Sequence, residues 1–162
     1  TAISKSQSLF YQEQFETALN GDGAASKGFL KIISDYSGTK TANLANLYAG
    51  LCYYKMEKYD EAIEHLESFS PKNDNSVSPS AVAALGNCYI QKDQKEKGAE
   101  KLIEAANMAK NSLSPVFILQ AAEVYENLGQ NDKALNLYNE IKSEYPTSPI
   151  AQNIDKYIER VK

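Results

Sequence analysis

The sequence is poor in the residues that build metal and redox sites. Its 162 residues include no Trp, one His and two Cys. Cys52 and Cys88 form no CxxC pair and belong to no Cys/His cluster with ligand spacing, so zinc and dithiol motifs are absent. No run of about 20 apolar residues occurs, and hence no segment is predicted to cross a bilayer. We therefore expect no metal, no cofactor and no membrane span within this chain.

Catalytic motifs are absent as well. The sequence has no glycine-rich phosphate loop and no nucleophile elbow. The single histidine, His65, follows Glu64 on what should be the outer side of a helix, where we expect solvent around it. Asn20 and Asp22 resemble the start of a calcium loop, but its further acidic ligands and terminal Glu are missing. These absences predict a protein that is not an enzyme.

The charge and composition narrow the class of partner. The 17 Lys and Arg residues are outnumbered by 21 Asp and Glu, which leaves a net charge of −4 and no basic stripe for a phosphate backbone. Apolar residues make up 43% of the chain, including eleven Tyr and five Phe, a composition that supports a folded core. We expect a protein or peptide partner and no nucleic acid. Because the chain begins Thr1-Ala2-Ile3 without an initiator Met, we also expect an upstream signal or anchor.

Comparison of the sequence with itself reveals a repeat with a period of 36 residues. Small residues, one aromatic residue and further small residues recur three times in this register: Gly50, Gly86 and Ala122; Tyr53, Tyr89 and Tyr125; Ala62, Gly98 and Ala134. The small residues should let two helices approach closely while the tyrosines fill the space beside them. Cys52 and Cys88 coincide in the same alignment, which predicts small core residues and no disulfide.

Each repeat divides into two helices by ordinary start and stop signals. In the last repeat, Ser114-Pro115 opens a helix and Gly129 ends it, and Asn131-Asp132 should cap the second helix. Tyr145-Pro146 then stops that second helix. In the middle repeat, Pro79-Ser80 should open the first helix, with a turn at Asp93-Gln94. The pattern predicts an all-α fold of antiparallel helix hairpins.

The boundaries follow from the 36-residue register. We predict one domain over residues 1–162, with repeats at 43–78, 79–114 and 115–150. Residues 1–42 form an atypical first unit with a flexible insertion loop near residues 20–24, after which Phe29 to Ile33 resume a helical face. Residues 147–162 should form a capping helix on the last repeat.

The residues of the repeat also carry a family resemblance. The segment from Tyr48 to Ile63 resembles a tetratricopeptide repeat, and the segment from Leu85 to Tyr89 resembles the same signature again. The last repeat resembles the later half of that motif through Gly129, Ala134, Tyr138 and Pro146. The resemblance implies a right-handed superhelix of helix hairpins with a capping helix, and a function in binding other proteins.

A narrower resemblance concerns the cellular location. The chain is similar to a group of bacterial envelope tetratricopeptide proteins in three places: the Asn20-Gly21-Asp22-Gly23 loop, the Gly28-Phe29-Leu30 segment with Tyr36, and residues 45–53. Those proteins carry one N-terminal membrane anchor before a short repeat domain. The similarity implies a membrane-anchored domain on the periplasmic face of the cell envelope; the alternative location is the cytoplasm.

The family resemblance implies that the first helix of each repeat lines a concave groove. The predicted groove residues are Leu44, Leu47, Leu51, Tyr54, Lys55, Asn87, Ile90, Gln91, Leu119 and Glu123. This apolar patch grades into an acidic one near Glu126. Family members that bind the C-terminal carboxylate of a peptide use several Lys, Arg and Asn side chains in the groove. Such binding is not expected here because few candidates are present, chiefly Lys55, Asn87 and Asn127. We predict a scaffold or chaperone-like module that binds a peptide segment there. The alternatives are that the N-terminal helix covers Leu44, Leu47 and Leu51, or that the patch forms a homodimer.

Overall fold

A computed structural model describes residues 1–162 and contains ten α-helices, one 3-10 helix and no strand. Neighbouring helices along the chain pack in pairs, which confirms the all-α class. The chain divides into two compact units, residues 1–71 and residues 72–162. The single domain over residues 1–162 stays a prediction.

The first unit contains five helices: α1 (Ser4–Tyr11), α2 (Phe15–Asn20), α3 (Phe29–Asp35), α4 (Lys40–Lys55) and α5 (Tyr59–Ser68). Its core includes Phe29 and Ile32 from α3 with Ala45 and Ala49 from α4, all fully buried. The long helix α4 begins where the Thr39 side chain accepts a hydrogen bond from the backbone N–H of Ala42. Helix α4 therefore forms the centre of this unit.

The loop between α2 and α3 runs from residue 21 to residue 28 and is closed by its own contacts. The carboxylate of Asp22 accepts hydrogen bonds from the backbone N–H groups of Ala24, Ala25 and Ser26. The hydroxyl of Ser26 contacts that of Ser6 on α1 at 2.8 Å, and both residues are buried. The flexible loop expected near residues 20–24 is thus held by an internal hydrogen-bond network.

The second unit contains five α-helices and the 3-10 helix: α6 (Val77–Gln91), α7 (Lys95–Ala109), α8 (Ser114–Asn127), α9 (Asn131–Glu144), the 3-10 helix (Pro149–Asn153) and α10 (Ile154–Val161). One continuous core runs through it and includes Leu102, Ile118, Tyr138 and Ile154, which are at most 2% exposed. The final helix packs its apolar side on α9, which places Ile158 and Val161 in the same core.

The hairpin contacts predicted from the small residues are present in both units. A Cβ atom placed on Gly98 would lie 2.5 Å from the carbonyl oxygen of Gly86, and one placed on Gly86 would lie 2.8 Å from that of Gly98. In the first unit, a Cβ atom on Gly50 would lie 2.6 Å from Cγ of Leu66. Of the three repeating tyrosines, Tyr89 and Tyr125 are buried and Tyr53 is half-buried. Helices α6 and α7 therefore meet through their backbones.

The hairpin turns of the three repeats share one backbone conformation, which Glu13 also adopts, with a φ of 60°, in the turn between α1 and α2. Glu57, Asp93 and Gly129, which are 36 residues apart, have φ values of 59°, 62° and 73°. In each turn the next backbone N–H, at residues 58, 94 and 130, bonds to the carbonyl of Tyr53, Tyr89 or Tyr125 at 2.8–2.9 Å. The repeating tyrosine is thus also the residue whose carbonyl closes the turn.

Three sequence-based boundaries are wrong. Helix α6 begins at Val77 and not at Pro79-Ser80, because Asp74 accepts hydrogen bonds from the N–H groups of Ser76 and Ser78 and starts the helix earlier. Helix α9 has no side-chain cap from Asn131-Asp132; its N-cap position is Gln130, which the preceding turn already fixes. The tail is not one helix, because the Ser148 side chain caps a separate 3-10 turn at Pro149.

Candidate functional site

In the first unit, the predicted groove residues lie on α4 and differ in exposure. Leu47 is only 3% exposed, so its side chain is part of the interior. Leu44, Leu51 and Tyr54 are half-buried, and Lys55 is exposed as the last residue of the helix. Leu51, Tyr54 and Lys55 therefore offer surface to a partner, whereas Leu47 supports the helix from within.

The same face of α4 that carries Leu44 and Leu51 also carries Tyr48, the centre of an aromatic cluster that the sequence interpretation missed. The ring of Tyr48 stacks on that of Phe29 at a centroid distance of 5.4 Å and meets the edge of Phe10 at 5.2 Å. Its hydroxyl contacts that of Tyr11 at 2.9 Å, and Tyr11 itself is 70% exposed. Burial, followed by the contact with Tyr11, raises the pKa of Tyr48 to about 12. Helix α1 is thus attached to α4 through Tyr48.

This contact bears on the alternative in which the N-terminal helix covers the three leucines. Leu44 packs against the core cluster that also contains Leu9 and Phe10 of α1. Leu47 and Leu51 do not belong to that cluster. Leu51 therefore remains available as an apolar surface residue of the first unit.

In the second unit, the predicted residues lie on α6 and α8. Ile90 and Leu119 are half-buried and pack against the core of this unit. Asn87 and Glu123 are half-buried and Gln91 is exposed. Beside Leu119, the side-chain oxygen of Gln120 is buried and has no hydrogen-bond partner. These residues present apolar edges bordered by amide and carboxylate groups, which suits contact with a peptide.

The acidic end of the predicted patch is largely neutralised. Glu126 on α8 accepts hydrogen bonds from the guanidinium of Arg160 on α10 and from the hydroxyl of Tyr138 on α9. The hydrogen bond from Arg160 is the main cause that holds the pKa of Glu126 below its usual value. Glu123 makes no ion pair and is the acidic group of this face that stays available. The acidic gradient expected from the sequence is therefore reduced to one carboxylate.

His65 does not lie in solvent as the sequence interpretation expected. Its ring stacks on Tyr53 at a centroid distance of 5.5 Å, and Nδ1 contacts Oδ1 of Asn46 at 3.0 Å. Burial lowers the pKa of His65. The residue is half-buried between α4 and α5 because the ring of Tyr53 offers it an apolar surface within the hairpin.

The remaining reactive side chains are buried or dispersed. Cys52 and Cys88 are free thiols that are fully buried. Burial raises the pKa of Cys52 to about 12 and that of Cys88 to about 11, so neither carries a thiolate near neutral pH. No group of three or more His, Cys, Asp or Glu residues comes together as a metal site. None of the helices combines the length and apolar character that crossing a bilayer requires.

Two parts of the chain match a known protein family. Residues 44–71 and residues 118–148 match the family model described as tetratricopeptide repeat. The first match covers most of the α4–α5 hairpin, and the second covers most of α8 with all of α9. No curated protein and no solved structure matches the chain significantly. The two matches, together with the all-α hairpins, support a tetratricopeptide-repeat family for this chain.

Proposed function

We propose that this chain is a non-catalytic module that binds a peptide or protein segment, as a scaffold or a chaperone-like partner. The observation that carries this proposal is the pair of matched repeats, since tetratricopeptide repeats generally mediate protein–protein interactions. The half-buried apolar residues of the first helices support it, because they leave partly exposed apolar area bordered by polar groups.

The binding residues that we propose are those of α4, α6 and α8, and we call them the first-helix surface: Leu44, Leu51, Tyr54, Lys55, Asn87, Ile90, Gln91, Leu119 and Glu123. Leu47 is left out as a contact residue because only 3% of it is exposed. Within each unit, a helical or extended segment with apolar side chains would pair with the leucines or the isoleucine of that unit. The amides of Asn87 and Gln91 would orient its backbone.

The experiment uses one substitution in each unit. Leu51→Glu and Leu119→Glu place a charge on half-buried apolar positions of α4 and α8, and Asn136→Glu introduces the same charge at an exposed position of α9 as the control. Each immobilised variant is exposed to an envelope extract of the source cell, and the recovered proteins are quantified by mass spectrometry. We expect the specific partner to be lost with at least one leucine variant and retained with Asn136→Glu. Unchanged recovery by both folded leucine variants would refute the first-helix surface.

We further propose that the module acts at the bacterial cell envelope, on the periplasmic face and attached to the membrane in the full-length protein. The support is the resemblance of the residue 20–23 loop, the residue 28–30 segment and residues 45–53 to envelope proteins of this type. Fractionation of cells that express the full-length gene tests this location. Recovery of the protein in the cytosolic fraction after lysis without detergent would contradict it.

A homodimer is the alternative use of the same apolar surface. Exposed apolar side chains such as Leu128, which is 38% exposed, add to the area that a second copy could cover. Sedimentation velocity over a concentration series separates the two functions. A dimer that persists at low micromolar concentration and is dissociated by Leu119→Glu would favour self-association.

A further inference from the structure

A cleft of about 690 Å³ lies within the second unit and shares no lining residue with the first-helix surface. One wall is formed by the turn between α7 and α8 together with the start of α8, and includes Lys110, Pro115 and Val116. The other wall follows the end of α9 and includes Glu144, Tyr145 and Ile150. Its volume falls within the range of about 300–1,000 Å³ that is usual for ligand sites.

Both walls are fixed by their own hydrogen bonds. In the first wall, the hydroxyl of Ser114 donates to the carbonyl of Ala106 at 2.7 Å, and the amide of Asn111 donates to the carbonyl of Asn75 at 2.7 Å. In the second wall, the backbone N–H of Ser148 donates to the carbonyl of Tyr145 at 3.0 Å. The cleft is therefore formed before any ligand arrives, which lowers the entropic cost of binding.

The lining combines apolar side chains, which we call the floor of the cleft (Val116, Tyr145 and Ile150), with two charged side chains that make no ion pair. Val116 is 38% exposed, and Tyr145 and Ile150 are half-buried against the core. Lys110 and Glu144 are exposed on opposite walls, and neither makes an ion pair. By contrast, Lys101, Lys133 and Lys142 in the same unit each pair with a carboxylate at 2.7–2.8 Å. The cleft thus leaves one cation and one anion free for groups supplied by a ligand.

We propose that this cleft is a second peptide-binding site, separate from the first-helix surface. Its occupant is an extended segment in which an apolar side chain fills the space over Val116 and Tyr145. An acidic residue of that segment pairs with Lys110, and a basic residue pairs with Glu144. A peptide is favoured over an enclosed small molecule because the cleft is partly open to solvent. The proposal rests on the shape and charges of the cleft and does not require the first-helix surface to bind.

The test is selection from a phage-displayed library of random dodecapeptides on the intact chain. Val116→Asp places a charge on the floor of the cleft, at the third residue of α8, where an acidic side chain also suits the helix N-terminus. Val77→Asp is the matched control, because Val77 is 51% exposed in the first turn of α6 and does not line the cleft. Circular dichroism verifies that both variants keep the helical fold.

We expect the wild type to enrich peptides with an apolar residue between an acidic and a basic residue. Their affinity should fall about tenfold or more with Val116→Asp, as for a central apolar contact, and stay unchanged with Val77→Asp. Lys110→Glu should weaken the same peptides, and exchanging their acidic residue for Lys should restore binding to that variant. If no peptide is enriched, or if the enriched peptides bind Val116→Asp as well as the wild type, the proposal is overturned. Peptides that lose affinity only with Leu119→Glu would overturn it too, while supporting the first-helix surface.

Discussion

The guanidinium of Arg160 on α10 donates a hydrogen bond from Nη2 to Oε2 of Glu126 on α8 at 2.9 Å, and a second from Nε to Oε1. The same carboxylate accepts the hydroxyl of Tyr138, which lies on α9 and is fully buried. One carboxylate therefore connects the last three helices of the second unit. Because Tyr138 is in the core and Arg160 is exposed, the contact joins the interior to the final helix.

Removing the charge of Glu126 should make the free energy of unfolding vary less with pH in the acidic range. The pKa of Glu126 is lowered in the folded chain, so its contribution is complete above the unfolded pKa of about 4.3 and is lost as pH falls through the folded pKa. We expect Glu126→Gln to lower the melting temperature at pH 7 and to converge with the wild type in strong acid. Thermal unfolding followed by circular dichroism at several pH values measures this.

Tyr138→Phe tests the buried hydrogen bond of the same carboxylate. It removes one hydroxyl that donates to the ionised Glu126 and should cost about 1.5–3 kcal/mol at pH 7, as for a hydrogen bond to a charged group. The Glu126→Gln effect should depend more steeply on pH than the Tyr138→Phe effect. A constant difference between Glu126→Gln and the wild type from neutral to strongly acidic pH would contradict this account.

Glycine should stabilise the two repeat turns that have an acidic residue in the left-handed conformation. Glu57 and Asp93 have the left-handed conformation that Gly129 adopts in the third turn. Relief of that strain is worth about 1–2 kcal/mol, and the greater freedom of glycine in the unfolded chain offsets about 0.4–1 kcal/mol of it. We expect Glu57→Gly and Asp93→Gly each to raise the free energy of unfolding by about 0.5–1 kcal/mol. Urea unfolding followed by tyrosine fluorescence is the measurement.

The reverse substitution tests the same cause. A Cβ atom on Gly129 would meet no atom within 4 Å, so Gly129→Ala introduces backbone strain without a steric contact. It should destabilise the second unit by about 1 kcal/mol. If Gly129→Ala left the free energy of unfolding unchanged, the left-handed conformation of these turns would not have the cost that we assign to it.

Alanine at Gly98 should open the α6–α7 hairpin. The added methyl group would meet the carbonyl oxygen of Gly86 at 2.5 Å, and a backbone atom has little freedom to move. Overpacking of about 1–3 kcal/mol should exceed the gain of about 1 kcal/mol that alanine brings to a helix. Asn107→Ala, at an exposed position of α7, is the control and should be neutral or slightly stabilising. A stability of Gly98→Ala equal to that of the control would refute the close backbone contact.

The hairpins could be predicted from the sequence because their contacts repeat in the side chains. Gly86 and Gly98 appear at the same register as Gly50 and Ala62, so the close approach leaves a visible pattern. The turns leave no such pattern in the sequence, because Glu57, Asp93 and Gly129 share a φ angle but no side-chain property. The start of α6 at Val77 could not be predicted from its N-cap residue, because Ser76 makes no side-chain cap and the first N–H groups bond to Asp74 in the preceding loop.

The candidate site could be predicted only in part because exposure depends on neighbours that are distant in sequence. Leu47 and Leu51 are both apolar residues on α4, yet Leu47 is in the interior and Leu51 is half-exposed. His65 has the neighbours of a surface residue in sequence but contacts Tyr53 across the hairpin. The cleft in the second unit combines residues 110–116 with residues 144–150, which no local pattern connects.

The loop between α2 and α3 should tolerate alanine at Gly23 far better than at Gly28. Both glycines have positive φ values, 76° and 81°, and Gly28 with its ψ of 152° lies in a region that is essentially restricted to glycine. A Cβ atom on Gly23 has no atom within 4 Å, whereas one on Gly28 would lie 2.3 Å from the carbonyl oxygen of Leu19 and 2.4 Å from the backbone nitrogen of Gly21. Alanine at Gly28 therefore meets both backbone strain and the steric closure of the loop.

We expect Gly23→Ala to cost about 1 kcal/mol from backbone strain alone. Gly28→Ala should cost at least about 1–3 kcal/mol more, because two ends of the loop would have to separate. Such a separation would also disturb the contact between Ser26 and Ser6, and so loosen α1. Hydrogen exchange should then show faster exchange of the α1 amides in Gly28→Ala than in Gly23→Ala. Equal exchange in the two variants would mean that the closed loop does not hold α1 in place.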